Sequence, residues 1–313
     1  MLQISRYQPT EAQAWNRFVL QAKNATFLFN RNYMDYHQSR FEDHSLVVSD
    51  RGHIVALLPA NITPDRQLVA HQGLTYGALL TTEKTSARQV ISIFRLINNY
   101  LKENNIRHVT YKAVPWIYHR LPAEEDLYAL SAVCHARLTR RDISSVVFAH
   151  NRLKFAESRR SGIRKATRQG VLIDESRDLG PFWDVLTQNL QQKYGVNPVH
   201  SLDEITLLRD RFPQNIRLYT ATLDGQVVGG TLLYLTPQVL HTQYISASPI
   251  GKACGAIDLM FEKIFSDNTL HYLYIDFGRS TESDFRQLNE RLIFQKEGFG
   301  ARGVCYDTYE WDI

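Results

Sequence analysis

Leu218-Tyr219-Thr220-Ala221-Thr222-Leu223-Asp224-Gly225-Gln226-Val227-Val228-Gly229-Gly230-Thr231-Leu232-Leu233 reads as strand, tight turn, strand, with Gly225 supplying the positive φ that a short hairpin requires. The same phrase occurs earlier, in Leu46-Val47-Val48-Ser49-Asp50-Arg51-Gly52-His53-Ile54-Val55-Ala56-Leu57-Leu58-Pro59, with Gly52 at the tip. Each hairpin leads into a third apolar segment, 68–74 or 239–247, and then a helical stretch, 85–101 or 256–265. A further strand, 108–114 or 272–277, precedes a second helix and a terminal β segment. The chain therefore reads as two similar units in tandem, 1–150 and 151–313, of the α/β (α+β) class, each a mixed, mostly antiparallel sheet flanked by helices.

With 313 residues, 44% hydrophobic and 22% charged, the chain has material for two ordinary cores, and its composition excludes a disordered polymer. The start Met1-Leu2-Gln3-Ile4-Ser5-Arg6 lacks the basic and apolar blocks of a secretory signal, and no run of ~18 apolar residues is present to cross a bilayer. A cytoplasmic protein is the expectation. Cys134, Cys254 and Cys305 are odd in number and far apart, so neither a disulfide framework nor a metal site is expected, and all three are read as buried, inert thiols.

A net charge of +4 does not by itself imply nucleic acid, but the distribution is informative. Between Arg152 and Arg168 lie seven Lys or Arg residues and a single acid, Glu157. Leu153, Ala156, Ile163 and Ala166 offer a thin apolar side to a helix there, while Arg160, Arg164 and Arg168 recur every fourth residue on another. Like charges at that spacing repel, so an external anion is expected to offset them; phosphate matches the guanidinium fork. A solvated face is the alternative. The helix is expected to lie between the two units, where ligand clefts tend to form.

Downstream, residues 240–260 read as strand, Gly-containing loop and amphipathic helix. A helix start exposes backbone N–H groups to a pyrophosphate, and the small residues Gly251, Gly255 and Ala256, with Lys252 among them, would let such a ligand approach.

The order and spacing of three segments resemble the GNAT acyltransferase superfamily, and within it the double-domain branch that includes the Fem-type peptidoglycan aminoacyl transferases. They are Arg160-Ser161-Gly162-Ile163-Arg164-Lys165-Ala166-Thr167-Arg168-Gln169-Gly170-Val171, Ile275-Asp276-Phe277-Gly278-Arg279 and Phe294-Gln295-Lys296-Glu297-Gly298-Phe299-Gly300. The resemblance spans nearly the whole chain. Against the usual GNAT cradle, Lys252 and Gly255 align and the last small position falls on Ile257. The chain lacks the long helical arm of some Fem-type enzymes, which argues against a transfer-RNA substrate. Asp276-Phe277-Gly278 is not a kinase magnesium triplet, because no Gly-rich nucleotide loop or His-Arg-Asp loop accompanies it, and P-loop, HExxH and GxSxG patterns are missing as well.

The resemblance implies acyl transfer between two splayed strands of the second unit, 241–247 and 272–277, with backbone N–H groups polarising the reacting carbonyl. At the strand end, Asp276 is the candidate base, or else a brace for the Gly278 turn. Strict alternation puts His241 and Tyr244 on opposite faces unless a bulge intervenes; Tyr244 is preferred for the cleft, with core packing as its alternative. Lys296 falls where the Fem-type motif has a charge-stabilising lysine, although a solvated lysine at a helix end is the competing account. Arg279 is a candidate for an anionic substrate, and Tyr76, between Gly73 and Gly77, for stacking on a sugar or base. In the run from Asn30 to His37, Asn30 reads as a helix cap and the aromatic residues as its packed face.

The reading is an acyltransferase whose second unit binds acyl-CoA, acetyl-CoA foremost, as co-substrate, its first unit being degenerate for donor binding. A phosphate-bearing amine on a cell-envelope or polysaccharide precursor, such as an amino sugar, is the expected acceptor, held between the units. Aminoacyl-tRNA as donor is one alternative. A noncatalytic anionic-ligand-binding regulator is another.

Overall fold

The computed structural model describes residues 1–267 and 272–313, and the chain folds as two compact units, Met1–Asp142 with Cys305–Ile313, and Ile143–Val304. These differ from 1–150 and 151–313 at both ends, for reasons of strand pairing. Val146, Val147 and Phe148 pair antiparallel with Asp276, Ile275 and Tyr274 of the second unit. At the other end, Thr308–Asp312 pairs antiparallel with His108–Lys112 and so belongs to the first.

In the first unit the hairpin forms as Leu46–Asp50 and His53–Leu58, with Arg51 and Gly52 at φ of 50° and 79°. Leu2–Arg6 and Leu80–Thr81 flank it in a four-stranded antiparallel sheet. The third apolar segment does not join that sheet. Of it only Leu68 and Val69 are strand, within Gln67–Val69, which lies parallel to His108–Lys112. Helix Ala87–Glu103 starts at a capping box of Ser86 and Gln89 and buries Val90, Ile93, Phe94, Ile97 and Leu101, spaced for one face. Phe94 packs with Tyr111 and Trp311, so the C-terminal strand completes this core.

The second unit keeps its strands together. Leu172–Ser176, Ile216–Leu223, Gln226–Leu235 and Val239–Ala247 pair antiparallel in that order, and Tyr274–Arg279 adds in parallel beside the last. Gly225 sits at the hairpin tip with φ of 75°. Helix Ala256–Ser266 drives Met260, Phe261 and Ile264 into a core with Leu233, Leu235, Leu240, Ile275 and Phe277. Helix Gly180–Tyr194 covers the opposite face, Phe182 against Gly230 and Trp183 against Tyr244.

The basic helix spans Glu157–Arg168 and is a packed element of the second unit, contrary to its expected place between units. Two glycines explain its seat on helix Ala256–Ser266: a Cβ on Gly162 would lie 1.9 Å from Asp258 Oδ2, and one on Gly255 2.5 Å from the Gly162 carbonyl. Arg159 closes the contact with a 2.7 Å ion pair to Asp258. Cys134 and Cys254 are buried as expected, but Cys305 is exposed. Among the described residues, no helix is long and apolar enough to cross a membrane.

Candidate active site

Three ladder positions join the strands that make the site: Val239 with Tyr274, Leu240 with Ile275 and His241 with Asp276. Beyond His241 the parallel pairing stops. Among the described residues, Thr242–Ala247 then keeps a strand partner on one edge only, Gln226–Leu235. The last joined position carries an imidazole on one strand and a carboxylate on the other, where the two strands begin to part.

Asp276 is fully buried, and its oxygens are engaged. Oδ1 accepts from the Gly278 N–H at 2.9 Å and from the Ser144 hydroxyl, while Oδ2 faces His241 Nδ1 at 3.0 Å. This corrects its reading as the group that meets the amine, because a carboxylate with no exposed surface and three donors cannot reach a substrate proton. Asp276 instead braces the Gly278 turn, where φ is 73°, and orients His241. With Nδ1–H donating to the carboxylate, Nε2 is the basic nitrogen of the ring. The His241 side chain retains 15% exposure, enough for contact with a substrate.

Lys296 lies in the last turn of helix Glu290–Glu297. It is not the solvated lysine of the competing account. Only 6% exposed, it donates through Nζ to the carbonyls of Gly278 at 2.7 Å and Arg279 at 2.8 Å. Burial pushes its pKa down to about 8, partly opposed by the Asp276 carboxylate. A buried positive charge therefore sits against the same turn that Asp276 braces. The Arg279 side chain itself is exposed.

Tyr244 shares a face with His241, contrary to the alternation expected. Leu232 pairs with Tyr244 and Leu233 with Thr242, so Gln243 is an extra residue and the bulge brings positions 241 and 244 to one side. Its hydroxyl lies 2.7 Å from His200 Nδ1, its ring meets Trp183 edge-on at 5.3 Å, and burial raises its pKa. Next to it, Asn189 donates to Ser246 Oγ at 2.6 Å and to the Ala247 carbonyl at 2.7 Å, and accepts from Lys252 Nζ at 2.7 Å.

The small residues of the expected donor cradle serve packing. A Cβ on Gly251 would lie 2.0 Å from the Val228 carbonyl, Gly255 abuts Gly162, and Ala256 is fully buried. Ser248 Oγ already accepts from the Gly251 N–H at 3.1 Å, and Pro249 has no N–H to offer. Ligand access to these backbone groups, the premise of the cradle reading, is therefore not provided by their smallness.

Glu157 offsets the repulsion expected along the basic stripe: Arg160 lies 2.8 Å and Arg164 2.6 Å from its two oxygens. These groups remain exposed, as does Arg168. Arg160 and Arg164 line a groove of about 390 Å³ with Arg152, Lys154, Phe155 and Glu262. Tyr76 is no stacking platform. At 3% exposure it packs on Phe29 and Tyr118 and points its hydroxyl to Thr26 at 3.3 Å. Sequence reasoning missed Ser144, His200 and Asn189, whose partners are 132, 44 and 57 residues away, and ranked His241 below Tyr244.

Residues 154–286 match the acetyltransferase (GNAT) domain family. No curated protein sequence matches the chain. Among solved structures, FemX aligns over 99% of this chain and 97% of its own with a TM-score of 0.69 at 10% identity. L-PGS from Bacillus licheniformis aligns over 96% and 91%, with a TM-score of 0.59 at 12% identity. A tandem GNAT protein from the clavulanic acid biosynthesis pathway aligns over 100% and 98%, with a TM-score of 0.53 at 12% identity. These likenesses show the fold, and the domain match shows the chemistry class. Residues 154–286 are a GNAT acyltransferase domain, and the whole chain carries the Fem-like double-domain GNAT fold.

Proposed function

We propose that the second unit transfers an acyl group from acyl-CoA to an amine on an anionic cell-envelope or polysaccharide precursor, an amino sugar being the preferred acceptor. The observation that carries this reading is the His241–Asp276 pair, 3.0 Å apart, at the point where the parallel ladder ends. Nε2 of His241 takes the proton of the attacking amine, as Asp276 stabilises the imidazolium that forms. The amine nitrogen bonds to the acyl carbon, the carbon–sulfur bond breaks, and the thiolate leaves to be protonated as the free thiol. Backbone N–H groups of the open edge after His241 suit the developing oxyanion, and the Lys296 charge beside Gly278 supports it through the turn. No activated Ser or Cys calls for a covalent enzyme intermediate.

The exposed Arg160, Arg164 and Arg168, together with cradle glycines already used in packing, favour a second reading in which aminoacyl-tRNA is the donor. Calorimetric titration with acetyl-CoA separates the two. Saturable binding, and an acyl transfer to amino sugars that His241→Ala slows by about 10²–10⁴-fold, is expected. An absence of binding at millimolar acetyl-CoA, with RNA binding that falls steeply with salt, would replace the first reading by the second.

A further inference from the structure

The groove of about 390 Å³ in the second unit lies between segment 152–155, helix Glu157–Arg168 and helix Ala256–Ser266, which contributes Glu262. None of its lining residues takes part in the acyl transfer proposed above. Its charge is one-sided. Arg152, Lys154, Arg160 and Arg164 line it, all four exposed, against Glu262 in the lining and Glu157 beside the last two.

Arg160 and Arg164 share Glu157 and keep 54% and 59% of their side chains exposed. Exposed ion pairs of this kind are weak, so both guanidinium groups are available to an outside anion. Arg152 and Lys154 have no acidic partner among the described residues. Arg168 continues the stripe one turn beyond Arg164. Apolar side chains face the groove among these cations. Leu153, 45% exposed, stands in the chain between Arg152 and Lys154, and Ile163 lines the groove from the helix. Phe155 is covered: it is 8% exposed, and the Arg152 guanidinium lies 5.6 Å from its ring centre and 5.4 Å from that of Phe265.

These features select the partner. No charged residue of the lining is buried, so the cations form a broad exposed field and not a closed pocket around one ion. Single-stranded nucleic acid stacks its bases on aromatic side chains beside the cations that hold its phosphates, and the one aromatic ring here is covered. An anionic lipid surface matches both parts of the groove. Lys and Arg near such a surface add attraction residue by residue, and an aliphatic side chain seated at the headgroup boundary gains by leaving water.

We propose that this groove docks the protein on an anionic lipid surface, with Arg152, Lys154, Arg160 and Arg164 against lipid phosphates and Leu153 set into the headgroup boundary. The proposal is independent of the acyl donor and acceptor, and its test reads binding without turnover. The full chain is sedimented with vesicles of equal parts phosphatidylserine and phosphatidylcholine, with vesicles of phosphatidylcholine alone, and titrated separately with transfer RNA. Binding to the anionic vesicles only, weakening as salt rises, is expected. Lys154→Gln should weaken it about fivefold, the worth of one cation near the surface. Leu153→Ser should weaken it by about fivefold or more, the worth of a half-exposed leucine leaving water. Both positions are exposed, so circular dichroism should be unchanged, and Leu207→Ala, at a leucine of similar exposure outside the groove, should bind as the native chain does. The proposal is overturned if anionic vesicles bind no better than phosphatidylcholine, or if Lys154→Gln or Leu153→Ser binds like the native chain. It is equally overturned if inorganic phosphate releases the protein better than chloride of equal ionic strength, which would mark a simple ion site. Tighter binding of transfer RNA, weakened by Lys154→Gln and indifferent to Leu153→Ser, would give the groove to RNA instead.

Discussion

Lys296 links the proposed chemistry to pH. Burial lowers its pKa from 10.5 to about 8, so across that window the unfolded chain holds a proton that the folded chain has released. The stability contributed at this position therefore rises with pH from about 8 to 10.5, while the positive charge beside the Gly278 turn is lost as pH passes about 8. Turnover should decline as pH rises through about 8, and Lys296→Met should turn over slowly and without that falling limb. A native-like limb in the variant would remove Lys296 from the mechanism. Asp126 titrates with the opposite consequence. Burial pushes its pKa up to about 6, against the opposing hydrogen bond from Tyr111, so the folded chain holds a proton that the unfolded chain gives up above about 4. Stability should fall as pH rises from about 4 to 6, and Asp126→Asn should flatten that slope in urea titrations at pH 4, 5 and 6. At this scale the sequence was a partial guide. Lys296 and Asp276 were found by resemblance, but the exchange of roles between Asp276 and His241 depends on a parallel register across 35 residues, which no local pattern encodes. Tyr76 misled because its flanking glycines suggested an open loop, whereas Gly77 is small to admit the Ala70 carbonyl, 2.2 Å from where a Cβ would stand.

Elements were more legible than sites. Both hairpins announced themselves through a glycine at the tip, and Val239–Ala247 was located to the residue from its run of apolar and aromatic side chains. The Gln243 bulge was not legible, since one extra residue in a strand leaves no mark on composition and shows only in the partner's register. Glycines with the same backbone demand also divide by surroundings. Gly225 and Gly255 have φ of 75° and 82°, but a Cβ on the first meets nothing within 4 Å and one on the second lies 2.5 Å from the Gly162 carbonyl. Gly225→Ala should cost about 1–2 kcal/mol, the strain of a left-handed alanine. Gly255→Ala adds overpacking of roughly 1–3 kcal/mol and should be distinctly worse in equilibrium denaturation. Equal losses at the two positions would mean that helix Glu157–Arg168 shifts freely away from its neighbour.

For the whole molecule, the sequence supplied the tandem plan and missed where the chain ends up. The expected boundary at 150 ignored pairing between Val146–Phe148 and Tyr274–Asp276, and the expected second unit kept a C-terminal strand that hydrogen-bonds to His108–Lys112 in the first. Long-range ladders of this kind are invisible to periodicity, which reports what a segment forms and not its partner. Trp311 offers a direct test. It is 4% exposed, packs on Phe94 and Tyr111, and donates Nε1–H to Asn98 at 3.2 Å. Trp311→Ala should destabilise the first unit by about 3–5 kcal/mol. An unchanged melting curve would detach the C-terminal strand from that core.

That returning strand also bears on how the protein is made. A ribosome delivers the first 142 residues early, but the segment that completes their core, Cys305–Ile313, follows the whole of the second unit. The roughly 160 intervening residues take about 8–32 s to synthesise at ~5–20 residues per second. During that interval the nascent first unit has an uncovered sheet edge at His108–Lys112 and an incomplete aromatic cluster. The second unit is contiguous in the chain, whereas the first, begun earlier, is completed only by residues made after all of the second.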